Sequence, residues 1–376
     1  MRPTSGNLTL ADDRSPLRHL ADVRWLLLVA ALLLAAAGLA TVHSASSELE
    51  VDYFPRQAVW VALGLLILLA TLTIDYQGLI KFSLPIYLLG LAALTAVLFL
   101  GSVRGGARSW FGVGSFGVQP SEFAKLTTAL LLARYLSSIN NRYLRLHQIV
   151  AAGGIVGVPV LLVVLQKDLG SAVMFLPMLV GMLFVSGVRW QLIVVAVLLA
   201  LIVGGVLWSF FMFDYQKARV LTFLDPERDP LGAGYQLRQS KIAVGSGQLA
   251  GRGYMQGTQS QLRFLPARHT DFIFAVLAEE WGFLGVVAVM GLYALFIFNG
   301  AVVAVRARDR AGILLVVGLL GGFAFHVVYN TAMVVGLLPI TGIPLPFLSY
   351  GGSFTLANFM AVGLILGVDF RRYVNR

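Results

Sequence analysis

Asp271 stands where a carboxylate could take a proton. It ends the run Pro266-Ala267-Arg268-His269-Thr270-Asp271, directly ahead of an apolar stretch. Burial and the neighbouring Arg268 and His269 could tune its pKa for general-base work. Thr270 or Asp271 before an apolar stretch is equally the signature of a helix N-cap, and on the sequence alone both readings stand. Glu279 and Glu280 follow in the same helical stretch and either line the same cavity or sit at its mouth.

Glu122 and Lys125 are spaced i, i+3, so they share a helix face. Pro120 at a helix start with an acid in the first turn is an ordinary N-terminal signal. The pair is therefore either a cap with a self-neutralising ion pair or the polar wall of a substrate cavity. Placing it in lipid is costly unless it faces protein or water, which favours the wall. Upstream, the Gly-rich stretch Gly101–Gly117 carries Arg104, Arg108 and Trp110. Backbone amides and arginines in such a loop suit phosphate groups. Trp110 suits a sugar face or an anchor at a membrane interface, and the anchor is the commoner use. The Pro/Gly stretch Gly342–Ser353 includes Ser349, a candidate substrate contact. It reads as a re-entrant turn, tolerated only where protein or a water-filled cavity covers its backbone.

Other signals carry no chemistry. Gly245-Ser246-Gly247-Gln248-Leu249-Ala250 matches the dinucleotide pattern G-x-G-x-x-A, but no βαβ unit surrounds it. The five histidines lack metal-ligand spacing. With zero cysteines, a disulfide framework, a Cys-ligated metal and a thiol nucleophile are all excluded. A divalent cation, Mg or Mn, held by carboxylates and substrate phosphates would leave little trace in a sequence.

These residues must be positioned by membrane helices. The chain of 376 residues is 58% hydrophobic and only 12% charged, against about 25% charged in soluble domains. That is too little charge to cover a soluble surface, and too much apolar content for disorder. Ten stretches are long and apolar enough to span a bilayer: Trp25–Val42, Gln57–Ile74, Phe82–Gly101, Ser121–Ser138, Gln148–Gln166, Leu169–Val188, Trp190–Phe213, Gly282–Val305, Ala311–Leu338 and Phe354–Val368. The first has a signal peptide as its rival reading, with Ser44-Ala45-Ser46 as a cleavage site, but its apolar core is too long for one. The expected fold is all-α and polytopic, a ten-helix bundle with one large extracytoplasmic loop, 214–278, between spans seven and eight. Within that loop Tyr235–Val244 reads as a short amphipathic helix at the interface. Residues 1–22 read as a disordered cytoplasmic tail, and 23–376 as a single transmembrane domain.

Fourteen Lys and Arg residues fall on the side of the termini and four in the opposite short loops, so the positive-inside rule places both termini in the cytoplasm. Most of the formal charge of +10 is thus a topology signal and not a nucleic-acid footprint.

The motifs together resemble the SEDS family, the shape, elongation, division and sporulation proteins. The residues that carry the match are Gly106 to Trp110, Gln119 to Lys125, Asp168 to Ala172, Pro266 to Phe274 with Glu279-Glu280, and Pro344 to Ser353. They occur in family order between about residues 24 and 373. Gln256 to Gln261 and Gly342 to Pro346 resemble the elongation branch. Lys167 departs from the pattern, which often has proline before Asp-Leu-Gly. The resemblance implies a peptidoglycan glycosyltransferase of the bacterial inner membrane that polymerises lipid II. Asp271 matches the family's essential aspartate, Glu122 and Lys125 its polar pair, and Trp110 a functionally important tryptophan. On that footing Asp271 is the expected general base. Arg108, Trp110, Glu122, Lys125, Arg268, His269, Glu279 and Ser349 are the expected substrate contacts. The implied partners are a class B penicillin-binding protein and other membrane proteins of the elongation complex. Rival readings of the same charged bundle are a lipid II flippase and a non-catalytic scaffold.

Overall fold

The computed structural model describes residues 24–47, 52–104, 106–112, 117–189, 191–192, 194, 198, 217 and 221–374. Among these, eight helices are long and apolar enough to cross a membrane. The expected span Trp190–Phe213 lies outside the described residues, apart from isolated positions.

In chain order the elements are α1 (Trp25–Ser46), α2 (Phe54–Thr73), α3 (Tyr76–Lys81) and α4 (Ser83–Leu100). There follow β1 (Ser102–Arg104), β2 (Ala107–Trp110), α5 (Pro120–Ser137), α6 (Leu146–Leu165), α7 (Leu169–Val173) and α8 (Phe175–Ser186). The chain ends with α9 (Ala233–Ser246), α10 (Thr258–Gln261), α11 (Ile273–Arg306), α12 (Arg310–Val334) and α13 (Gly352–Val374). Helix starts follow the local chemistry. Proline occupies the first turn of α2 and of α5, where its missing N–H costs nothing. Asp75, Asp168 and Asp309 cap α3, α7 and α12 through their side chains.

α1 packs along α11, α2 along α13, and α12 against α8, α11 and α5. The spanning window of α13 is 72% buried and that of α12 is 56%, against 22% for α4 and α6. Among the described spans the two most C-terminal helices are therefore the most buried, and α4 and α6 the least. α1 is helical through Ser46, with Ser44, Ala45 and Ser46 all buried. The would-be signal cleavage site is thus part of a packed span. The backbone N–H of Arg24, ahead of α1, donates to Asp369 near the end of α13 at 2.8 Å. The start of α1 and the end of α13 accordingly share one end of the bundle.

Two features depart from an all-helical reading. The Gly-rich stretch after α4 is a β-hairpin, pairing Val103 with Arg108 and Arg104 with Ala107. The expected span Gly282–Val305 begins earlier, at Ile273, and breaks at Gly282 (φ 64°, ψ −164°).

Residues 248–253 fill that break. In an unbroken helix Phe283 N–H would bond Glu279 O, and Leu284 N–H would bond Glu280 O. Instead Phe283 N and Leu284 N donate to Gln248 O and Leu249 O at 2.9 and 3.1 Å. The released carbonyls of Glu279 and Glu280 accept from Arg252 N and Gly253 N, each at 3.0 Å. The pattern that mimics a dinucleotide fingerprint thus runs from the end of α9 into a backbone clasp, where Gly247 and Gly251 let main chain pass against main chain.

The large loop is ordered elsewhere too. α9 is one turn longer than expected and lies on α11 and α12. Its buried Ser240 donates to Val334 O at 2.7 Å. Lys167, the departure from the family pattern, adopts φ +65°. Proline cannot reach that conformation, so this outer turn takes a shape that the commoner residue would forbid.

Candidate functional site

The loop 265–272, the segment 341–350 and the start of α5 meet at the end of the bundle opposite Arg24 and Asp369. Neither Thr270 nor Asp271 occupies the N-cap of α11: that position falls to Phe272, without a side-chain cap bond. Thr270 Oγ1 turns back to donate to Ala267 O at 3.2 Å. Asp271 is half-buried. Its Oδ2 lies 3.5 Å from where a Cβ would stand on Gly342, an ordinary contact distance.

Main-chain clamps hold this loop. Ser349 Oγ donates to Thr270 O at 2.7 Å and accepts from Leu345 N at 2.8 Å. Tyr350 N donates to His269 O at 2.9 Å. Asn330 Nδ2 donates to Asp271 O at 2.9 Å and to Ile343 O at 2.7 Å. His269 stacks on Tyr53, with centroids 4.4 Å apart and planes 9° from parallel. Burial, and then the neighbouring Arg268 charge, push the imidazole pKa of His269 down to about 4, so it is neutral at ordinary pH.

Lys125 Nζ lies 2.9 Å from Glu122 Oε2 and 3.3 Å from His326 Nε2. It sits 5.8 Å over the Phe354 ring. His326 Nδ1 faces Pro344 O at 3.2 Å. A carbonyl only accepts, so Nδ1 carries the proton and Nε2 offers its lone pair to the ammonium. Glu122, Lys125 and His326 contribute polar groups to the wall of a cavity. Its remaining wall is mostly apolar, from Met178, Phe296, Leu319 and Ile365. Beside Glu122, Gln119 Nε2 donates to Asp168 Oδ2 at 2.9 Å, and Gln119 N to Ser353 Oγ at 2.9 Å. These bonds tie the starts of α5, α7 and α13 together.

The expected site residues thus separate. Asp271, Glu122 and Lys125 lie on segments joined through residues 343–344. His269 is held in the aromatic stack beside Asp271. Arg108 is exposed on β2, its guanidinium donating to Leu98 O at 3.4 Å, and it makes no bond to the Glu122–Lys125 pair. Trp110 is half-buried on the same strand.

Three of the expected substrate contacts make structural bonds. Arg268 is 3% exposed and its Nε donates to Ala45 O at 2.7 Å; it braces the C-terminal end of α1. Ser349 is fully buried between two loops. Glu279 is fully buried, and its carboxylate accepts from Gln259 N at 2.8 Å, Ser260 N at 3.2 Å and Thr258 Oγ1 at 3.2 Å. It anchors α10 from the turn above the Gly282 break and does not reach the cavity. Glu280 is likewise buried and hydrogen-bonded to Ser44 of α1.

Sequence reasoning missed Asn330 and, except as a failed metal ligand, His326. Their signal was two polar residues one helical turn apart in an otherwise apolar span.

Among the described residues no group of three His, Cys, Asp or Glu side chains could hold a metal ion. Glu122 is paired with Lys125, and Glu279 accepts from backbone N–H groups.

Such a molecule is a multi-pass helical membrane protein in which Asp271 and the Glu122–Lys125 pair lie toward one end of the bundle, the pair on the wall of a mostly apolar cavity. Residues 24–373 match the cell cycle protein family FtsW/RodA/SpoVE, and the chain belongs to that family. It is 39% identical over 363 residues to the peptidoglycan glycosyltransferase MrdB of Escherichia coli strain K12, covering 94% of each chain. The fold is similar to that of the rod shape determining protein RodA of Thermus thermophilus, with a TM-score of 0.70 and 29% identity over 93% of this chain and 98% of that one. It is also similar to a chain of a peptidoglycan synthase complex that coordinates polymerization and crosslinking, with a TM-score of 0.81 and 33% identity over 93% of this chain and 98% of that one.

Proposed function

We propose that this chain polymerises lipid II into glycan strands during cell elongation, with Asp271 as the general base. It is a peptidoglycan glycosyltransferase of the bacterial inner membrane. The acceptor lipid II presents the 4-hydroxyl of its N-acetylglucosamine. Asp271 takes the hydroxyl proton as the oxygen bonds to C1 of the donor N-acetylmuramic acid. The C1–O bond to phosphate breaks with inversion, and undecaprenyl diphosphate leaves with the electron pair. One base suffices, and no glycosyl-enzyme forms. The departing diphosphate calls for positive charge placed in advance. Lys125 is suited to meet it, restrained by Glu122 and His326, with Arg108 at the outer margin and Trp110 against a sugar face.

The observation that carries this reading is Asp271 itself: a half-buried carboxylate, off the helix cap, on a loop whose neighbouring carbonyls are all clamped. A loop shaped only to connect helices needs no such fixation, whereas a base must be held to its geometry.

The topology follows in the same reading. Adding α5 and the charge-poor stretch Trp190–Phe213 to the eight apolar helices makes ten spans. Ten is even, in keeping with the start of α1 lying beside the end of α13. Both termini are cytoplasmic, residues 1–22 form a tail, 23–376 form one domain, and loop 214–278 faces outward. The partner is a class B penicillin-binding protein within the elongation complex, as the likeness to a complex coordinating polymerization and crosslinking supports.

The test is purified protein with lipid II in detergent, with and without the partner, where flipping has no meaning. Wild type makes polymer and Asp271→Ala makes none while remaining folded. If wild type makes no polymer even with its partner, the glycosyltransferase reading fails. If Asp271→Ala polymerises normally, the base assignment fails.

A further inference from the structure

We propose that Asn330 is the positioning residue for Asp271, holding its main chain in register with Lys125; this rests on the reading of Asp271 as the base. Asn330 lies in α12 and is fully buried. Its amide nitrogen donates to Asp271 O at 2.9 Å and to Ile343 O at 2.7 Å. Both partners are carbonyls, which only accept, so the NH2 group and not the oxygen must face them. Asn330 Oδ1 is then left buried with no hydrogen-bond partner among the described residues. An unpaired buried amide oxygen is unfavourable, and a leucine would fill the same volume without it. What the asparagine supplies in return is the pair of donors, both spent on the two loops at the site.

One turn earlier on the same helix face, His326 donates from Nδ1 to Pro344 O at 3.2 Å and meets Lys125 at 3.3 Å through Nε2. Successive turns of α12 thus grip adjacent residues, Ile343 and Pro344. From that common strip one side chain reaches the ammonium and the other reaches the backbone of the aspartate. Both reacting-site groups are referenced to one well-packed helix, the kind of support that holds a catalytic geometry within fractions of an ångström. Bonds from a side chain to main-chain carbonyls fix where Asp271 sits without touching its carboxylate, so Asn330 acts through it and not on substrate.

The experiment compares wild type, Asn330→Leu, Asn330→Asp and Asp271→Ala as full-length protein with lipid II and the partner, normalised to monodisperse protein. Loss of registration should lower kcat of Asn330→Leu about 100-fold, the scale of a 1 Å misplacement, and leave KM within about threefold of wild type. Asn330→Asp keeps the size of the side chain and lacks the two donors, and it should lose kcat in the same way; it decides the matter if the leucine variant does not fold. A kcat within about threefold of wild type in whichever variant folds overturns the proposal. So does a loss confined to KM or to the yield of folded protein, which a merely structural residue would give. The two readings separate cleanly. Polymer from Asp271→Ala sinks the base and the positioning role together, whereas a silent Asp271→Ala beside a fully active Asn330 variant sinks only the positioning role.

Discussion

Replacing Gly282 by alanine should unlatch the large loop, and the size of the effect can be worked out. Gly282 has φ 64° and ψ −164°, a region occupied essentially by glycine alone, where any other residue carries about 1–3 kcal/mol of strain. A Cβ there would stand 2.2 Å from Gly251 N, 2.8 Å from Ala250 C and 2.8 Å from Gly247 O. All three are backbone atoms, so no side-chain rotation relieves the clash and the clasp must move. Moving it endangers the four hydrogen bonds to residues 279, 280, 283 and 284, each worth about 1 kcal/mol net. Strain and partial loss of these bonds together come to about 3–6 kcal/mol. The control is Gly291→Ala in the same helix, where nothing lies within 4 Å of the added Cβ and alanine is the better helix former by about 1 kcal/mol. Thermal unfolding in detergent should show Gly282→Ala melting well below wild type and Gly291→Ala at or slightly above it. Limited trypsin digestion should cut after Arg252 in Gly282→Ala before it does so in wild type. A Gly282→Ala protein that melts with wild type and keeps Arg252 equally protected would refute the clasp.

The ion pair beneath the site makes a second prediction. Glu122→Gln or Lys125→Met alone should destabilise the protein by about 3 kcal/mol, because each strands a charge in a mostly buried place. The double variant should melt above either single one and still make no polymer; recovered polymerisation would remove Lys125 from the diphosphate. His269 makes a third. Its folded pKa of about 4 lies below the usual imidazole value of 6.5, so its contribution is fully present above pH 6.5 and is lost as pH falls toward 4. The loss is at most about 3 kcal/mol. His269→Phe, which keeps the stack on Tyr53 and cannot titrate, should flatten the fall in melting temperature between those two pH values; an unchanged fall would assign it to other groups.

Much of the architecture was legible because it is local. Hydropathy located the eight helices that are long and apolar enough to cross a membrane, although the one expected from Gly282 begins at Ile273, and the i, i+3 spacing of Glu122 and Lys125 foretold the pair now seen at 2.9 Å. Charged residues were harder. Arg268 and Glu279 flank Asp271 closely in sequence, and proximity suggested that they join it in the cavity. Arg268, in the loop ahead of α11, instead donates to the end of α1, and Glu279, inside α11, holds the start of α10; packing between elements, and not nearness along the chain, sets where each side chain points. The clasp was misleading for another reason. Glycine spacing records only that backbone must come close to something, and a helix break satisfies it as well as a phosphate does.

The sequence by itself determined that this is a multi-pass helical membrane protein and that its few ionisable groups within or beside the spans are the places to look for chemistry. Water and lipid impose that pattern on each stretch of chain separately. Only the tertiary structure decided which of those groups stand around a cavity and which hold loops. Asn330 meets Asp271 across 59 residues and Ile343 across 13, through main-chain carbonyls that every residue possesses. A bond to a carbonyl leaves no mark on the partner's identity, so that part of the site exists only once the chain has folded.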